Sequence, residues 1–401
     1  MPWTSLYPQL GAGPISVEPL VSPDLFGLER DKIFRRAWLM VGRENEIAAP
    51  GDYKVKRLEV ARTSAIVVRG KDGVIRAFHN ICPHRGNKVV PETGVETHGR
   101  ARANVLACRF HGWVFDTDGA VRSIPREEAF ADLDKGCLGL RPIACEIWQG
   151  FVFINLAPEP RQSLADYLGG IGTHFAGYPY GESTVHYRYA TVLECNWKVA
   201  MYAFSEGYHV PTIHRVNAPG LMRFEHKDFK LFGPHGTSAF HVLPVDGLNE
   251  PPATALFREV LRARPRHAPR LGELPASMNT DRRDDFLFEF ASFFPNMVLH
   301  LSAGNGYPGM TYFIHQFWPI DVGRTYWEGT NYFRPPEHPS ERVAIAHTTA
   351  WHRNGWLEDT STMEDTYAAL TSGVLKEMVL MDEELLIRNT QKHWHDYIEA
   401  A

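Results

Sequence analysis

Four possible metal ligands stand in two closely spaced pairs, and they constrain this chain more than any other feature. Cys82 and His84 flank Pro83, and Cys108 is followed three residues later by His111. Thiolates are strong donors to ferric iron, and neutral imidazoles raise the potential of the iron they bind. A diiron-disulfide cluster with two cysteines on one iron and two histidines on the other would use all four residues. A closed tetrahedral zinc site is the alternative that the spacing leaves open.

The composition favours metal chemistry and excludes other classes. The chain of 401 residues contains 5 cysteines and 19 histidines, and an odd, small number of cysteines is not a disulfide framework. Lys plus Arg number 42 against 47 for Asp plus Glu, so no overall basic field exists for nucleic acid or an anionic membrane. No apolar run approaches a membrane span, and the first basic residue is Arg30, so no signal peptide is expected. We therefore expect a cytoplasmic protein with neither nucleic acid nor membrane as a partner.

The pattern of apolar residues divides the chain into three parts. Ser22 and Pro23 begin an amphipathic helix that extends towards Trp38. Short runs rich in Val, Ile and Phe then predict a small all-β part that ends near residue 157. Its hairpins pair Ala65–Arg69 with Val74–Phe78 and Trp113–Phe115 with Ala120–Ile124, and Phe151–Ile154 forms a further strand.

The remaining residues predict a larger part of mixed type. We expect helix near 194–209, strands at 292–302 and 311–318 joined by a turn at Gly304–Gly306, and helix from about 356 to 390. Residues 251–277 contain five prolines and five arginines. They indicate a solvated surface insertion or a lid over a substrate entrance.

A second group of candidate ligands follows in the larger part. Glu206 and His209 are three residues apart and share a face of a helix. His214 would lie about 140° further round a regular helix. Pro211 removes a backbone donor and disfavours helical geometry at the preceding residue, so both imidazoles can converge. Two imidazoles and a carboxylate would leave positions open on ferrous iron, so a third ligand is needed.

The sequence from Cys108 to Gly119, together with Cys82-x-His84, resembles the Rieske domain of ring-hydroxylating oxygenases. The resemblance covers nearly the whole chain, although the spacer between the two ligand pairs is longer than in the family. It implies that Cys82 and Cys108 hold the inner iron and that His84 and His111 hold the outer iron of a [2Fe-2S] cluster. It also makes zinc the weaker alternative.

The resemblance implies an α+β protein with a small all-β Rieske domain and a larger catalytic domain of antiparallel sheet and helices, of helix-grip type. We place an N-terminal helical segment that packs on the catalytic domain at 1–40, the Rieske domain at 41–157 and the catalytic domain at 158–401. The catalytic domain would hold mononuclear Fe(II) on His209 and His214.

The third iron ligand and the route of electrons also follow from the resemblance. The acidic segment after Trp356 resembles the part of the family that carries an Asp ligand, so we expect Asp359, with Asp365 and Glu364 as alternatives. The position of Glu206 holds Asp in most of the family, where it bridges a cluster histidine of one subunit and an iron-ligand histidine of the next. Family members that act on quaternary amines carry a similar Glu.

The implied function is the terminal oxygenase of a multicomponent system, an oxidoreductase that incorporates O2. Electrons from NADH would arrive through a separate reductase, often with a ferredoxin, and the expected assembly is a homotrimer. Mono-oxygenation leading to N- or O-dealkylation of a bulky aromatic or apolar xenobiotic, as in herbicide N-dealkylases, is favoured over cis-dihydroxylation of a ring. A Rieske electron carrier would leave His209 and His214 unexplained.

We also expect a docking surface for an electron donor and a substrate pocket. Basic residues near the cluster loops would steer an acidic ferredoxin, namely Arg85, Lys88, Arg100, Arg102 and Arg109. Substrate-pocket candidates are aromatic and apolar residues before the ligands and along a strand, namely Tyr202, Phe204, Phe293, Asn296, Met297 and Leu299.

Overall fold

A computed structural model describes residues 2–215, 217, 224–242, 274–278, 286–302 and 310–400. The chain divides into two compact units, one formed by residues 1–29 with 168–401 and the other by residues 30–167. The smaller unit therefore begins about ten residues before the boundary at 41 that the sequence suggested, and it ends about ten residues after the suggested boundary at 157. The predicted turn at Gly304–Gly306 and residues 251–273 of the predicted insertion lie outside the described residues.

The N-terminal segment contains the predicted helix. It forms α1 (Trp3–Leu6), β1 (Ile15–Ser16), α2 (Glu18–Val21) and α3 (Pro23–Glu29). Ser22 Oγ accepts a hydrogen bond from the Leu25 N–H at 3.3 Å, which confirms the predicted helix start. The α-helix ends at Glu29, and one π-helical turn follows over Arg30–Phe34. The regular α-helix is therefore shorter than the apolar pattern suggested.

The smaller unit is the predicted all-β part, and it contains two antiparallel sheets. The larger sheet has the order β2-β11-β10-β5-β4-β3-β6. Its strands are β2 (Leu39–Arg43), β3 (Asp52–Leu58), β4 (Thr63–Arg69), β5 (Ile75–His79), β6 (Glu96–Arg100), β10 (Pro142–Trp148) and β11 (Phe151–Asn155). The three-stranded sheet contains β7 (Val105–Ala107), β8 (Val114–Asp116) and β9 (Val121–Ser123). Both predicted hairpins are confirmed, because β4 pairs with β5 and β8 with β9.

After α4 (Leu164–His174), the larger unit is built on a seven-stranded antiparallel sheet. Its order is β12-β18-β17-β16-β15-β14-β13. The strands are β12 (Val185–Leu193), β13 (Phe224–Phe232), β14 (His235–Val242), β15 (Phe286–Phe293), β16 (Met297–Ser302), β17 (Met310–Asp321) and β18 (Arg324–Phe333). The predicted strand 292–302 is in fact the end of β15, a turn at Phe294–Pro295 and then β16, because proline cannot donate to the ladder.

Side chains alternate between the two faces of this sheet, and directly paired residues share a face. The pairs Val298–His315, His300–Phe313, His315–Gly329, Phe317–Trp327 and Phe313–Asn331 define what we call the histidine face. Ser292 belongs to it through its pairing with Val298. Leu299, Tyr312 and Ile314 lie on the opposite face, where Tyr312 contacts Tyr180 with ring centroids 5.2 Å apart.

The helices of the larger unit are α5 (Trp197–Ala203), α6 (Val210–Ile213), α7 (Pro339–Thr371) and α8 (Leu385–Glu399), and the short strand β19 (Glu377–Met378) pairs with β1. The predicted C-terminal helix thus starts at Pro339, well before residue 356, and is interrupted after Thr371. Helix α7 covers the histidine face, since a Cβ on Gly329 would come within 2.8 Å of the Trp356 ring.

A buried carboxylate ties α5 to the rest of the larger unit. Glu29 accepts hydrogen bonds from the indole N–H groups of Trp197 and Trp394, each at 2.7 Å, and it pairs with the ammonium group of Lys198. Glu29 and Lys198 are both 0% exposed. Burial lowers the pKa of Lys198, and Glu29 opposes that shift. Removing one partner of such a pair typically costs about 3–5 kcal/mol, so this contact fixes the helix that leads into the site.

Candidate metal centres

The two Cys-and-His pairs of the smaller unit lie on loops of matching geometry. In the first loop the Cys82 N–H donates to the Asn87 carbonyl at 2.8 Å. In the second loop the Cys108 N–H donates to the Trp113 carbonyl at 2.9 Å. A glycine with φ near +75° turns the chain after each histidine, Gly86 in one loop and Gly112 in the other. The sequence therefore folds each pair into a tight loop that presents one Cys and one His.

The donors are arranged with sulfur inside and imidazole outside. Cys82 and Cys108 are each 2% exposed and belong to the apolar core of the unit, whereas His111 is exposed. The ring centroids of His84 and His111 lie 4.5 Å apart. His84 Nδ1 is buried and forms no hydrogen bond in the structure, so it is available as a ligand atom. This arrangement fits a cluster with two buried cysteine ligands on its inner side and two histidine ligands on the side nearer the surface.

The two thiols have different acidities. Burial raises the pKa of Cys82. Burial acts in the same direction on Cys108, but hydrogen bonds from the Phe110 N–H and the Asn87 side chain outweigh it and lower the pKa of that thiol. The Asn87 amide nitrogen lies 3.6 Å from Cys108 Sγ. Donors directed at a sulfur stabilise the thiolate, which is the form that binds iron.

The geometry argues against the zinc alternative. A tetrahedral zinc ion needs its four donor atoms within one compact group. Among the residues that the structure describes, His209, His214 and Asp359 form a group of three donor atoms that all lie within 4.8 Å of one another. The cluster residues do not form such a group. The two thiols lie together in the core and the two imidazoles lie together outside it, and a sulfur pair beside an imidazole pair fits two iron atoms better than one ion.

The larger unit brings the three predicted iron ligands together. His214 Nε2 lies 3.0 Å from Asp359 Oδ1, and His209 Nε2 lies 3.4 Å from the same oxygen. Asp359 is 4% exposed, and its Oδ1 forms no hydrogen bond of acceptable geometry. A buried carboxylate oxygen that faces two imidazole nitrogens without a hydrogen bond fits a metal ion held between all three.

Local sequence explains how His209 and His214 converge. The regular helix α5 ends at Ala203, and the chain resumes helical geometry only at Val210, where Pro211 occupies the first turn of α6. His209 is the residue before that short helix and His214 the residue after it. The predicted interruption between the two histidines is wrong, and so is the predicted helix over 204–209. The chain leaves helical geometry before His209, over residues 204–209, and Pro211 lies in the first turn of the short helix that joins the two histidines, where its missing N–H is tolerated.

Each histidine also contacts a carboxylate through its other ring nitrogen. Glu206 Oε1 accepts from His209 Nδ1, and Oε2 of the same side chain accepts from the N–H groups of Tyr208 and His209. Glu358 Oε2 lies 2.8 Å from His214 Nδ1. Burial lowers the pKa of His214, but Asp359 and Glu358 outweigh it and raise the pKa overall. A carboxylate on Nδ1 fixes the ring orientation and leaves Nε2 for the metal.

Sequence reasoning missed Glu358, and the alternatives to Asp359 lie elsewhere. Glu364 is exposed and accepts a hydrogen bond from the Glu194 N–H at 2.9 Å. Asp365 is exposed. A signal for Glu358 existed in the sequence, because it directly precedes the expected ligand on one helix, but the pairing with His214 spans 144 residues.

The predicted pocket residues occupy different parts of the larger unit. Phe204 stacks on the ring of His315 at 4.1 Å, beneath α7. The Tyr202 hydroxyl donates to Gln391 on α8, and the Asn296 amide donates to the Phe317 carbonyl. Met297, Leu299 and Phe293 lie on the opposite face of the sheet, since alternation places Val298 and His300 beneath α7 instead. Strand periodicity without a register could not distinguish the two faces.

Comparisons with known families match both parts of the chain. Residues 37–139 match the family described as Rieske [2Fe-2S] domain. Residues 181–400 match the family described as ring hydroxylating alpha subunit, catalytic domain. The first match contains all four cluster residues, and the second contains Glu206, His209, His214 and Asp359.

Curated relatives are oxygenase subunits of several kinds. The glycine betaine monooxygenase oxygenase subunit of Chromohalobacter salexigens is 31% identical over 55% of this chain and 46% of its own length. The carnitine monooxygenase oxygenase subunit of Escherichia coli is 33% identical over 47% of this chain and 49% of its own. The large oxygenase component of the naphthalene 1,2-dioxygenase system of Pseudomonas aeruginosa is 34% identical over 48% and 42%. The matched region thus spans about half the length of these relatives.

Solved structures share the fold along the whole chain. The quaternary ammonium Rieske monooxygenase CntA in complex with L-carnitine has a TM-score of 0.74 at 21% identity, and the match covers 96% of each chain. Naphthalene 1,2-dioxygenase from Rhodococcus bound to indole has a TM-score of 0.72 at 20% identity and covers 100% of this chain and 99% of its own. Within the described residues, no helix is both long and apolar enough to cross a membrane.

Proposed function

Since the chain belongs to the ring-hydroxylating oxygenase alpha-subunit family, we propose that it is the terminal oxygenase of a multicomponent system and oxygenates a small organic substrate with O2. The observation that carries this proposal is the convergence of His209, His214 and Asp359 in a chain that also presents two Cys-and-His loops. These two imidazoles and one carboxylate would hold ferrous iron with positions left for O2 and a substrate, and the iron would supply the activation of O2.

Glu206 supports the proposed route of electrons into this site. Its carboxylate holds the Nδ1 side of His209, while two backbone N–H groups fix it in place. We place it as the bridge between the iron ligand His209 and a cluster histidine of a neighbouring subunit, which requires an assembly such as a homotrimer. Electrons would reach the cluster from NADH through a reductase, with or without a ferredoxin.

The favoured reaction is mono-oxygenation of a C–H bond beside nitrogen or oxygen, with dealkylation of the unstable product. Glu at position 206 and the similarity to two monooxygenase subunits support this choice over dihydroxylation. We propose a bulky aromatic or apolar compound as substrate. The second candidate is cis-dihydroxylation of an aromatic ring, which the 34% identity to a naphthalene dioxygenase component favours.

Product analysis under ¹⁸O2 tests the function and separates the two reactions. The purified chain, loaded with iron and supplied with a reductase, ferredoxin and NADH, is incubated with a panel of N-alkyl, O-alkyl and unsubstituted aromatic compounds. One labelled oxygen atom per product indicates mono-oxygenation, and two adjacent labelled atoms indicate dihydroxylation. The Asp359→Ala variant is the control that should form no product. A fully loaded enzyme that consumes no O2 with any compound would contradict the proposal.

A further inference from the structure

The histidine face contains an unusual concentration of buried polar atoms that form no hydrogen bond. Six such atoms belong to five residues, and four of these residues are nearly inaccessible to solvent: His315 and Asn331 at 0%, Ser292 at 2% and Trp327 at 4%. The atoms are Ser292 Oγ, His300 Nε2, both ring nitrogens of His315, Trp327 Nε1 and Asn331 Nδ2. A buried donor or acceptor left without a partner costs about 1–3 kcal/mol, so native proteins rarely keep several together without a ligand or water.

The opposite face of the same sheet shows that the fold can satisfy buried polar groups. Glu289 there accepts from Thr237 at 2.6 Å and contacts His174 at 2.6 Å. Glu328 on that face accepts from the Trp318 indole at 2.8 Å. The unsatisfied groups are therefore concentrated on the side that α7 covers.

These groups lie close to the proposed iron site. The Trp356 ring of α7 lies 4.8 Å from the His315 ring, and Asp359 is three residues further along the same helix. Three residues of α-helix rise by about 4.5 Å. Phe204, which stacks on His315, precedes Glu206 by two residues. The histidine face thus packs against both segments that carry the iron ligands.

The chemistry of the face is uncharged and rich in donors. Its described strand residues include no Asp, Glu, Lys or Arg. Burial lowers the pKa of His300 and of His352 to about 3 and lowers that of His315 still further, so all three rings are neutral at physiological pH. Trp327 Nε1 and Asn331 Nδ2 can only donate, and a neutral imidazole donates from one nitrogen.

We propose that the histidine face is the hydrogen-bonding floor of the substrate site and selects an uncharged substrate whose polar atom is an acceptor, such as an amide, ketone or ether oxygen on an apolar body. This inference rests on the proposed function, because it takes Asp359 as an iron ligand. A site built to hydrogen-bond its substrate discriminates strongly against analogues that lack the bond. An organic cation is the competing class, because the indole rings of Trp327 and Trp356 are faces that attract cations.

Binding of three probes of similar size tests the inference: acetanilide, n-propylbenzene and phenyltrimethylammonium. Each is titrated into the oxidised, iron-loaded enzyme without reductant, and binding is followed by calorimetry. We expect acetanilide to bind most tightly. The Trp327→Phe and His315→Phe variants should each weaken acetanilide binding by roughly 3- to 10-fold while leaving n-propylbenzene unchanged or tighter. The matched control is Phe317→Leu on the same face, which removes no polar atom and should leave the ratio of the two affinities unchanged.

Thermal unfolding of the ligand-free variants gives an independent readout. Replacing an unsatisfied buried imidazole with a ring of similar shape removes a desolvation penalty, so His315→Phe should raise Tm by a few degrees. A fall in Tm for both polar-to-apolar variants would show a structural role and overturn the inference.

Failure of the inference differs from failure of the proposed function. The inference is overturned if phenyltrimethylammonium binds most tightly. It is also overturned if neither variant changes the ratio of the acetanilide affinity to the n-propylbenzene affinity. Either result stands even if the same preparation forms oxygenated product. Absence of product from a loaded enzyme that still prefers acetanilide instead contradicts the proposed function and leaves the binding result intact.

Discussion

His214 Nδ1 lies 2.8 Å from Oε2 of Glu358, on the side of the ring opposite to the nitrogen that faces Asp359. Two adjacent residues of α7 therefore contact the two nitrogens of one imidazole. We propose the buried Asp359 as the iron ligand and the partly exposed Glu358 as the group that holds the ring in the orientation that ligation needs.

Glu358→Ala should weaken retention of the mononuclear iron by roughly 10- to 100-fold, because His214 loses the acceptor that fixes its tautomer and orientation. Iron content after dialysis against a chelator measures the effect. Glu364→Ala is the matched control, since it removes a carboxylate from the exposed side of the same helix. Equal iron retention in both variants would remove Glu358 from the site.

The variants Asp359→Ala and Asp365→Ala test which of the two aspartates of α7 is the iron ligand. We expect the first variant to lose the mononuclear iron and keep the electron paramagnetic resonance signal of the reduced cluster, whose ligands belong to the other unit. The second variant should keep both centres, because Asp365 is exposed. The reverse pattern of iron loss would assign the site to Asp365.

The sequence predicted the local features of both centres well, because each depends on short spacing. Cys82 and His84 occupy one tight loop, and His214 follows His209 by five residues, although Pro211 begins a helical turn between them and does not interrupt one. Contacts between distant segments were not accessible in the same way. The pairing of Glu358 with His214 needs the packing of α7 on the sheet, and the assignment of Leu299 to the opposite face needs the register that begins after Phe294–Pro295. Neither the pairing nor the face can be predicted from a local sequence pattern.

Glu206→Gln should slow electron delivery to the mononuclear iron while leaving both centres filled. Glutamine keeps an acceptor for the N–H groups of Tyr208 and His209, but it removes the negative charge beside His209 Nδ1. Rapid-freeze measurement of cluster reoxidation in the presence of O2 and substrate should show a rate reduced by at least about 10-fold. Glu206→Asp serves as the control that retains the charge, and wild-type rates in Glu206→Gln would exclude the bridge role.

Reduction of the cluster by its electron donor should slow as the salt concentration rises, because basic side chains beside the loops steer an acidic partner. Arg85 is exposed and lies over the Phe110 ring at 5.4 Å, whereas Arg100 is paired with Asp52 at 2.6 Å. Arg85→Gln should therefore reduce the stopped-flow rate at low salt more than Arg100→Gln does. A rate that is flat across ionic strength would argue against electrostatic docking.

A single-turnover experiment tests most directly whether one chain combines a Rieske cluster with an oxygen-activating iron. The purified enzyme is reduced, the reductant is removed, and O2 is added with a substrate from the panel in the absence of any partner protein. We predict that the resonance signal of the reduced cluster disappears as oxygenated product forms, and that Asp359→Ala abolishes both changes. A cluster signal that persists in the presence of O2 and substrate, with no product, would contradict the account.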